Sequence, residues 1–187
     1  MITPNDFRPG LTIELDGRVL QVISADHHKQ GRGDAIVRTK LRDLESGNIF
    51  QKTFRSNQDI EKAHVNRRDF QFLYTTGDTF IFMDTETYEQ RELDKEMLGD
   101  RVKWLKEGEN VQFALYEGKI VDMELPKAVD REVVQTDPGL RGDTAQGGSK
   151  PATIEGGAVV EVPLFVKKGD HIRVDTSSGE YVSRVDA

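Results

Sequence analysis

Apolar and polar side chains alternate along this chain in short runs, and glycine, proline and acidic residues break the alternation between them. Leu11 to Leu15, Arg18 to Ser24, Ala35 to Leu44, Asn48 to Phe54, Thr79 to Met83, Val111 to Tyr116 and His171 to Asp175 are rich in β-branched or aromatic residues. A period of two with that composition is the signature of half-buried strands. The pattern predicts an all-β protein. Three stretches, starting at Gly17, Gly118 and Gly179, set glycine before an alternating run, as the return strand of a hairpin does. One falls in each third of the chain, at spacings too uneven for a solenoid. They predict three small barrels, over residues 1–64, 65–127 and 128–187, with boundaries where strand patterning lapses between Ala63 and Arg68 and at Pro126-Lys127.

Two stretches read as helical. Ser56 stands as an N-cap before Asn57-Gln58-Asp59, with Asp59 in the capping-box position and Ile60 to Ala63 following. Asp100 to Lys106 groups Val102, Trp104 and Leu105 and is bracketed by Gly99 and Gly108. Both read as plugs or connectors.

Composition supports several small domains: 36% of the residues are hydrophobic and 32% charged, which is wet for one large globule. The absence of cysteine excludes the disulfide-stapled secreted class. The most apolar stretch, Ala158 to Val166, is interrupted by Glu161 and Pro163 and is far short of the roughly 20 residues of a bilayer span. Residues 1–10 lack the basic start and apolar core of a leader, so a cytoplasmic protein without membrane contact is expected.

The net charge of −7 is unevenly divided. Residues 1–64 hold 10 basic and 9 acidic side chains, residues 65–127 hold 9 and 14, and residues 128–187 hold 7 and 10. Lys29, Arg32, Arg38, Lys40 and Arg42 crowd into the stretch from Asp26 to Arg42. Such a cluster suits phosphate at a local tip, whereas the acidic remainder does not suit random coating of nucleic acid.

Two polar, glycine-rich loops stand between strong strands. Asp26 to Asp34 reads as an extended hairpin tip, where Gly31 and Gly33 flank Arg32 and leave it little steric cover. An ordinary mobile turn explains the same residues equally well. The second loop, Asp137 to Pro151, is long enough to be functional or disordered rather than incidental. Its Gly142 to Lys150 nearly spells a phosphate-cradling loop but ends Gly148-Ser149-Lys150, where that motif needs Gly-Lys-Ser/Thr. Arg141-Gly142-Asp143 matches an adhesion tripeptide in a chain with no other mark of secretion. His27 and His28 are adjacent and point to opposite faces of a strand, while His64 and His171 are isolated, so no metal site is expected. No Gly-x-Ser-x-Gly elbow is present to activate a nucleophile.

The run from Lys150 to Gly169 closely resembles the signature of bacterial elongation factor P at Lys150, Ala152, Gly157, Val160, Val162, Pro163, Val166 and Gly169. Arg8-Pro9-Gly10, Val37 to Leu41, Phe82-Met83-Asp84, Thr85, Tyr88-Glu89-Gln90, Gly139 to Thr144 and Gly179 to Val182 resemble the same family in the same order. The resemblance spans essentially the whole chain. It implies three β-barrels in an L, an SH3-like KOW-type domain followed by two OB-fold domains.

It also implies a monomeric translation factor, without catalytic residue, cofactor or metal, that binds the ribosome between the P and E sites beside P-site tRNA. There it would position the CCA end and relieve stalling at consecutive prolines. By this resemblance the first hairpin reaches toward the peptidyl-transferase centre with Arg32 at its tip, among Gly31 and Gly33; on charge alone, Lys29, Lys40 and Arg42 add RNA contacts. Gly142, Asp143 and Thr144 would lie near the E-site mRNA codon and the small subunit, and Tyr181 and Arg184 near P-site tRNA. Read from strand patterning alone, Tyr181 is more simply a core or cross-strand residue.

Many members carry a tip Lys after Pro-Gly and extend it by β-lysylation; Gln30-Gly31-Arg32-Gly33 excludes that substrate. Another branch carries a rhamnosylated tip Arg, usually in Ser-Gly-Arg-Asn. The resemblance thus leaves two states for Arg32, rhamnosylated by a tip-modifying enzyme or unmodified. The alternatives are the elongation factor P-like paralogue, disfavoured by Gly139 to Thr144 and Gly147 to Lys150, and a stand-alone OB-type RNA-binding protein, for which 7% aromatic residues give little stacking platform.

Overall fold

The computed structural model describes residues 1–29, 31, 33–139 and 147–186. Three five-stranded sheets account for nearly all of its regular structure, the all-β class expected. The first contains β1 (Thr12–Leu15), β2 (Arg18–His28), β3 (Ile36–Asp43), β4 (Ile49–Arg55) and β5 (Glu61–Lys62), in the order β4-β3-β2-β1-β5. The second contains β6 (Asn66–Thr76), β7 (Thr79–Asp84), β8 (Gln90–Asp94), β9 (Asn110–Tyr116) and β10 (Lys119–Glu124), ordered β10-β9-β6-β7-β8. The third contains β11 (Ala128–Thr136), β12 (Ser149–Ile154), β13 (Val159–Pro163), β14 (His171–Asp175) and β15 (Tyr181–Val185), ordered β13-β12-β11-β14-β15. The chain divides into two compact units, Met1–Arg68 with Phe113–Met123, and Asp69–Gln112 with Glu124–Ala187.

Alternation places the core of the first sheet. Phe7, Ile13, Leu20, Val22, Leu41, Phe54 and Ile60 pack together, with Phe7 edge-on to Phe54 at 5.3 Å between ring centroids. In the same unit the Tyr116 hydroxyl donates to the Glu14 carboxylate at 3.0 Å, tying β9 to β1.

Ser56 to Ala63 is not a helix. The Ser56 N–H donates to Ala35, Ile60 exchanges backbone hydrogen bonds with Ile2, and β5 pairs with β1. Burying Ile60 and Ala63 against the first sheet outweighs a capping pattern this short. The second helical stretch starts earlier than expected, as α1 (Lys95–Leu98) followed by a 3-10 turn at Gly99–Trp104. The lapse of patterning at Ala63 to Arg68 includes the start of the 11-residue β6, whose first residues are polar and mostly exposed and whose burial alternates only over Phe70 to Leu73.

The three glycine-led return strands all exist, but their turns are of two kinds. Asp16-Gly17 and Glu117-Gly118 form two-residue turns with positive φ at both positions. Gly179 belongs to a longer turn that recurs once in every sheet. Asp43, Asp84 and Asp175 each accept, through one carboxylate oxygen, the N–H groups two and three residues on. In each copy the hydroxyl of Ser46, Thr87 or Ser178 then accepts the N–H two residues beyond it.

In the second unit Trp104 inserts into the core formed by Val129, Val133, Ala152, Ile154, Val160, Val162, Val166, Ile172 and Val174. Beside it Arg131 is 1% exposed. Its guanidinium donates to both Glu109 carboxylate oxygens at 2.9 and 2.7 Å, and to the carbonyls of Trp104 and Asp130, each at 2.7 Å. No helix of the described residues is long and apolar enough to cross a membrane.

Candidate functional site

The β2–β3 hairpin builds a cationic face by simple alternation. Along β3, Val37, Thr39, Leu41 and Asp43 are buried and Arg38, Lys40 and Arg42 are exposed. Residues directly opposite in a sheet share a face. Arg38, Lys40 and Arg42 therefore stand with Asp26, Ser24 and Gln21 of β2 and with Thr53, Gln51 and Ile49 of β4. Arg55, opposite Ile36, extends the same face. Successive cations of β3 lie about 7 Å apart along the strand. Among the described residues none of Arg38, Lys40, Arg42 and Arg55 forms an ion pair, so their charge is open to an external anion.

Toward its tip the hairpin leaves the core. A bulge at Ile23 shifts the register between Val22 and Ser24, and a bulge bends and twists its strand. Beyond it the β2 side chains become progressively exposed, ending with Asp26, His27 and His28. Lys29 is exposed, and a Cβ placed at Gly31 or Gly33 would meet nothing within 4 Å. Arg32, which these glycines flank, lies outside the described residues.

In the second unit Tyr181 and Arg184 are three residues apart, a spacing that puts side chains on opposite faces of a regular strand. The register shift between Arg173 and Val174 reverses this: Tyr181 stands opposite Val174 and Arg184 opposite Ile172, so both share one face. Tyr181 is half-buried against the core cluster, so its packing role is real. Arg184 is exposed, its guanidinium 5.5 Å from the centroid of the Phe165 ring, which is itself 56% exposed. Tyr181, Phe165, Lys167 and Lys168 line an open concavity of about 1340 Å³ with Gly139 and Lys150. The Lys150 ammonium is mostly buried and donates to the Asp137 carbonyl at 2.7 Å. Gly142, Asp143 and Thr144 lie outside the described residues.

Asp130, Glu155 and Asp175 are perturbed carboxylates that belong to neither set of cations. The Arg173 guanidinium holds Asp130 below the usual carboxylate range, and the Glu132 N–H does the same for Glu155. Asp175 is lowered by the Ser177 hydroxyl and the N–H groups of its turn. Each shift comes from a structural hydrogen bond. Among the described residues no three His, Cys, Asp or Glu side chains are grouped to hold a metal ion.

Arg55 and Phe165 are the contributors that the sequence reading missed. Arg55 requires the β3–β4 register, and Phe165 sits inside an apolar run that reads as core.

Three family models match the chain in order. The Elongation factor P (EF-P) KOW-like domain covers residues 3–60, the Elongation factor P (EF-P) OB domain residues 65–123, and Elongation factor P, C-terminal, residues 129–184. Elongation factor P of Pelotomaculum thermopropionicum is 52% identical over 185 residues, covering 99% of this chain and 100% of that protein. Elongation factor P of Coprothermobacter proteolyticus is 50% identical with the same coverage. Elongation factor P of Nostoc punctiforme is 50% identical over 184 residues, 98% of this chain and 100% of that one. Among solved structures, Eukaryotic translation initiation factor 5A from Methanococcus jannaschii aligns with a TM-score of 0.53 at 22% identity, over 65% of this chain and 92% of that chain, a likeness of fold.

Proposed function

This chain belongs to the elongation factor P family, a family of translation factors, and from that membership we propose that it acts on the ribosome, between the P and E sites, where it stimulates peptide bond formation at consecutive prolines. The observation that carries the proposal is the unpaired cationic face of Arg38, Lys40 and Arg42 leading to the uncovered Gly31–Gly33 tip. An exposed strand of cations with no internal partner suits the phosphates of a tRNA acceptor arm. On this reading Arg32 acts on the CCA end.

The chemistry needs no catalytic group. A proline nitrogen sits in a constrained ring and attacks poorly when the peptidyl ester is misoriented. Holding the CCA end in a reactive pose removes an entropic barrier, and about 1.4 kcal/mol removed is tenfold in rate. On this reading Lys29, Lys40 and Arg42 contact RNA, while Tyr181 and Arg184 contact P-site tRNA. Gly142, Asp143 and Thr144 contact the E-site codon. The three family matches support a division into three domains near residues 64 and 127, and the factor works as a monomer in the cytoplasm, with Arg32 either rhamnosylated or unmodified.

The test is the rate of Pro-Pro bond formation on purified ribosomes with and without the protein. Acceleration confined to proline-rich sequences is expected; an equal rate in its absence rejects the proposal.

A further inference from the structure

The two strands that flank residues 137–148 are held by side chains where their ladder ends. β11 stops at Thr136, opposite Ala152, whereas β12 begins at Ser149 and, among the described residues, pairs over Ser149, Lys150 and Pro151 with β13 alone. Two side chains replace the missing rungs. The Thr136 hydroxyl donates to the Pro151 carbonyl at 3.0 Å, and the Lys150 ammonium donates to the Asp137 carbonyl at 2.7 Å. A third contact is backbone on backbone. A Cβ at Gly139 would collide with the Leu164 carbonyl, so the chain passes there only because that position carries no side chain.

Lys150 is the unexpected member of this set. It is 7% exposed and stands on the buried face of β12, opposite Val162. Among the described residues it has no ion pair, and its ammonium, a triple donor, finds one acceptor. Burying a cation without its anion costs stability, and an apolar side chain of the same length would fill the place without that cost. Packing therefore does not account for a lysine here, but its reach to Asp137 does. That bond ties the start of the segment carrying Gly142, Asp143 and Thr144 to the strand that follows it. We propose that Lys150, with Thr136 and Gly139 beside it, is a positioning residue. It fixes where that segment leaves and rejoins the third sheet, and through this the contact of Gly142, Asp143 and Thr144 with the E-site codon, without touching RNA itself. The proposal rests on the reading of those three residues as the codon contact.

The experiment measures Pro-Pro bond formation on purified ribosomes over a range of concentrations of the full chain. The variants are Lys150→Met, Thr136→Val, one replacing Gly142, Asp143 and Thr144 by Ala, and the last combined with Lys150→Met. A contact remote from the reacting ester adds affinity rather than lowering the barrier. Lys150→Met should therefore raise the half-saturating concentration about fivefold and leave the saturated rate unchanged, and Thr136→Val should act in the same direction by about twofold. Lys150→Met should melt no lower than the wild type, since a buried cation is removed and Asp137, an exposed residue, offers its carbonyl to water instead. In the alanine background the same substitution should add nothing, because the contact it positions is already gone. Its slope of log affinity against log salt should match the wild type, since no phosphate contact is lost. Wild-type half-saturation for Lys150→Met, a loss that adds to that of the alanine variant, a lowered melting temperature or a lowered salt slope would overturn the proposal and leave the codon contact standing. Wild-type half-saturation for the alanine variant would remove the codon contact, and this proposal with it.

Discussion

Arg38, Lys40 and Arg42 project from β3 without an ion pair among the described residues, whereas Arg131 on β11 is 1% exposed and directs its guanidinium at Glu109, Trp104 and Asp130. Both regions are cationic, and both sit on strands of regular alternation. They differ in solvation. An exposed cation keeps its water and costs the fold almost nothing, so it is free to be spent on a partner. A buried cation must be satisfied internally or it destabilises the core, so its position reports on architecture. The comparison separates residues whose loss should harm folding from residues whose loss should harm binding.

The largest effect is expected at the buried pair, and it should be asymmetric. Glu109→Ala removes the half-exposed partner and leaves a buried guanidinium short of its anion, at a cost of about 3 kcal/mol. Arg131→Met leaves Glu109, 44% exposed at its side chain, free to rehydrate and should cost only about 1–2 kcal/mol, mostly for the orphaned Trp104 carbonyl. Trp104, the single tryptophan, sits in this joint and reports the urea transition by its fluorescence. Equal losses for the two variants would break the argument from solvation.

A smaller effect sharpens the other side. Replacing Arg38, Lys40 and Arg42 together by Gln should leave the urea midpoint unchanged within about 0.5 kcal/mol of stability. The same variant should lower the slope of log affinity for ribosomes against log salt by about 2.7, three phosphate contacts on the duplex of a tRNA acceptor arm each contributing about 0.9. An unchanged slope would show that these cations meet no phosphate.

The smallest effect is on pH. Asp130, Glu155 and Asp175 have folded-state values below those of the unfolded chain, so their contribution is present above the ordinary carboxylate range and is lost as pH falls through the folded values. Melting temperature should therefore decline below about pH 4, and Asp130→Asn should flatten that decline. A pH profile that Asp130→Asn leaves unchanged would remove the Arg173 hydrogen bond as its cause.

Period-two patterning was enough to find most strands and the basic face, because alternation on β3 is a local property. The family signature was legible for a different reason. Ala152, Val160, Val162 and Val166 are buried core residues, Gly157 and Gly169 take positive φ, and Lys150 bonds the Asp137 carbonyl. These positions mark the architecture of the third sheet rather than its chemistry. What stayed hidden depends on pairing between distant strands. The β3–β4 register adds Arg55, the β14–β15 bulge unites Tyr181 with Arg184, and the bridge of Ile60 to Ile2 with the pairing of Glu61 and Lys62 to β1 turns an expected helix into extended chain. The recurrent aspartate turn was also masked, since its middle copy replaces glycine with Tyr88.

The most direct test of the central claim, that the β2–β3 arm acts on the reacting centre through its tip, is Arg32→Ala in the Pro-Pro assay. Protein from the native host, at saturating concentration, keeps any modification present. An arginine offers several donors in a planar fork, and one that orients the CCA end lowers the barrier more than it adds to affinity. The account predicts near wild-type ribosome binding and stability with most of the acceleration lost, and partial recovery by Arg32→Lys, which restores the charge without the fork. A wild-type rate for Arg32→Ala would contradict it and move the activity to the body of the protein.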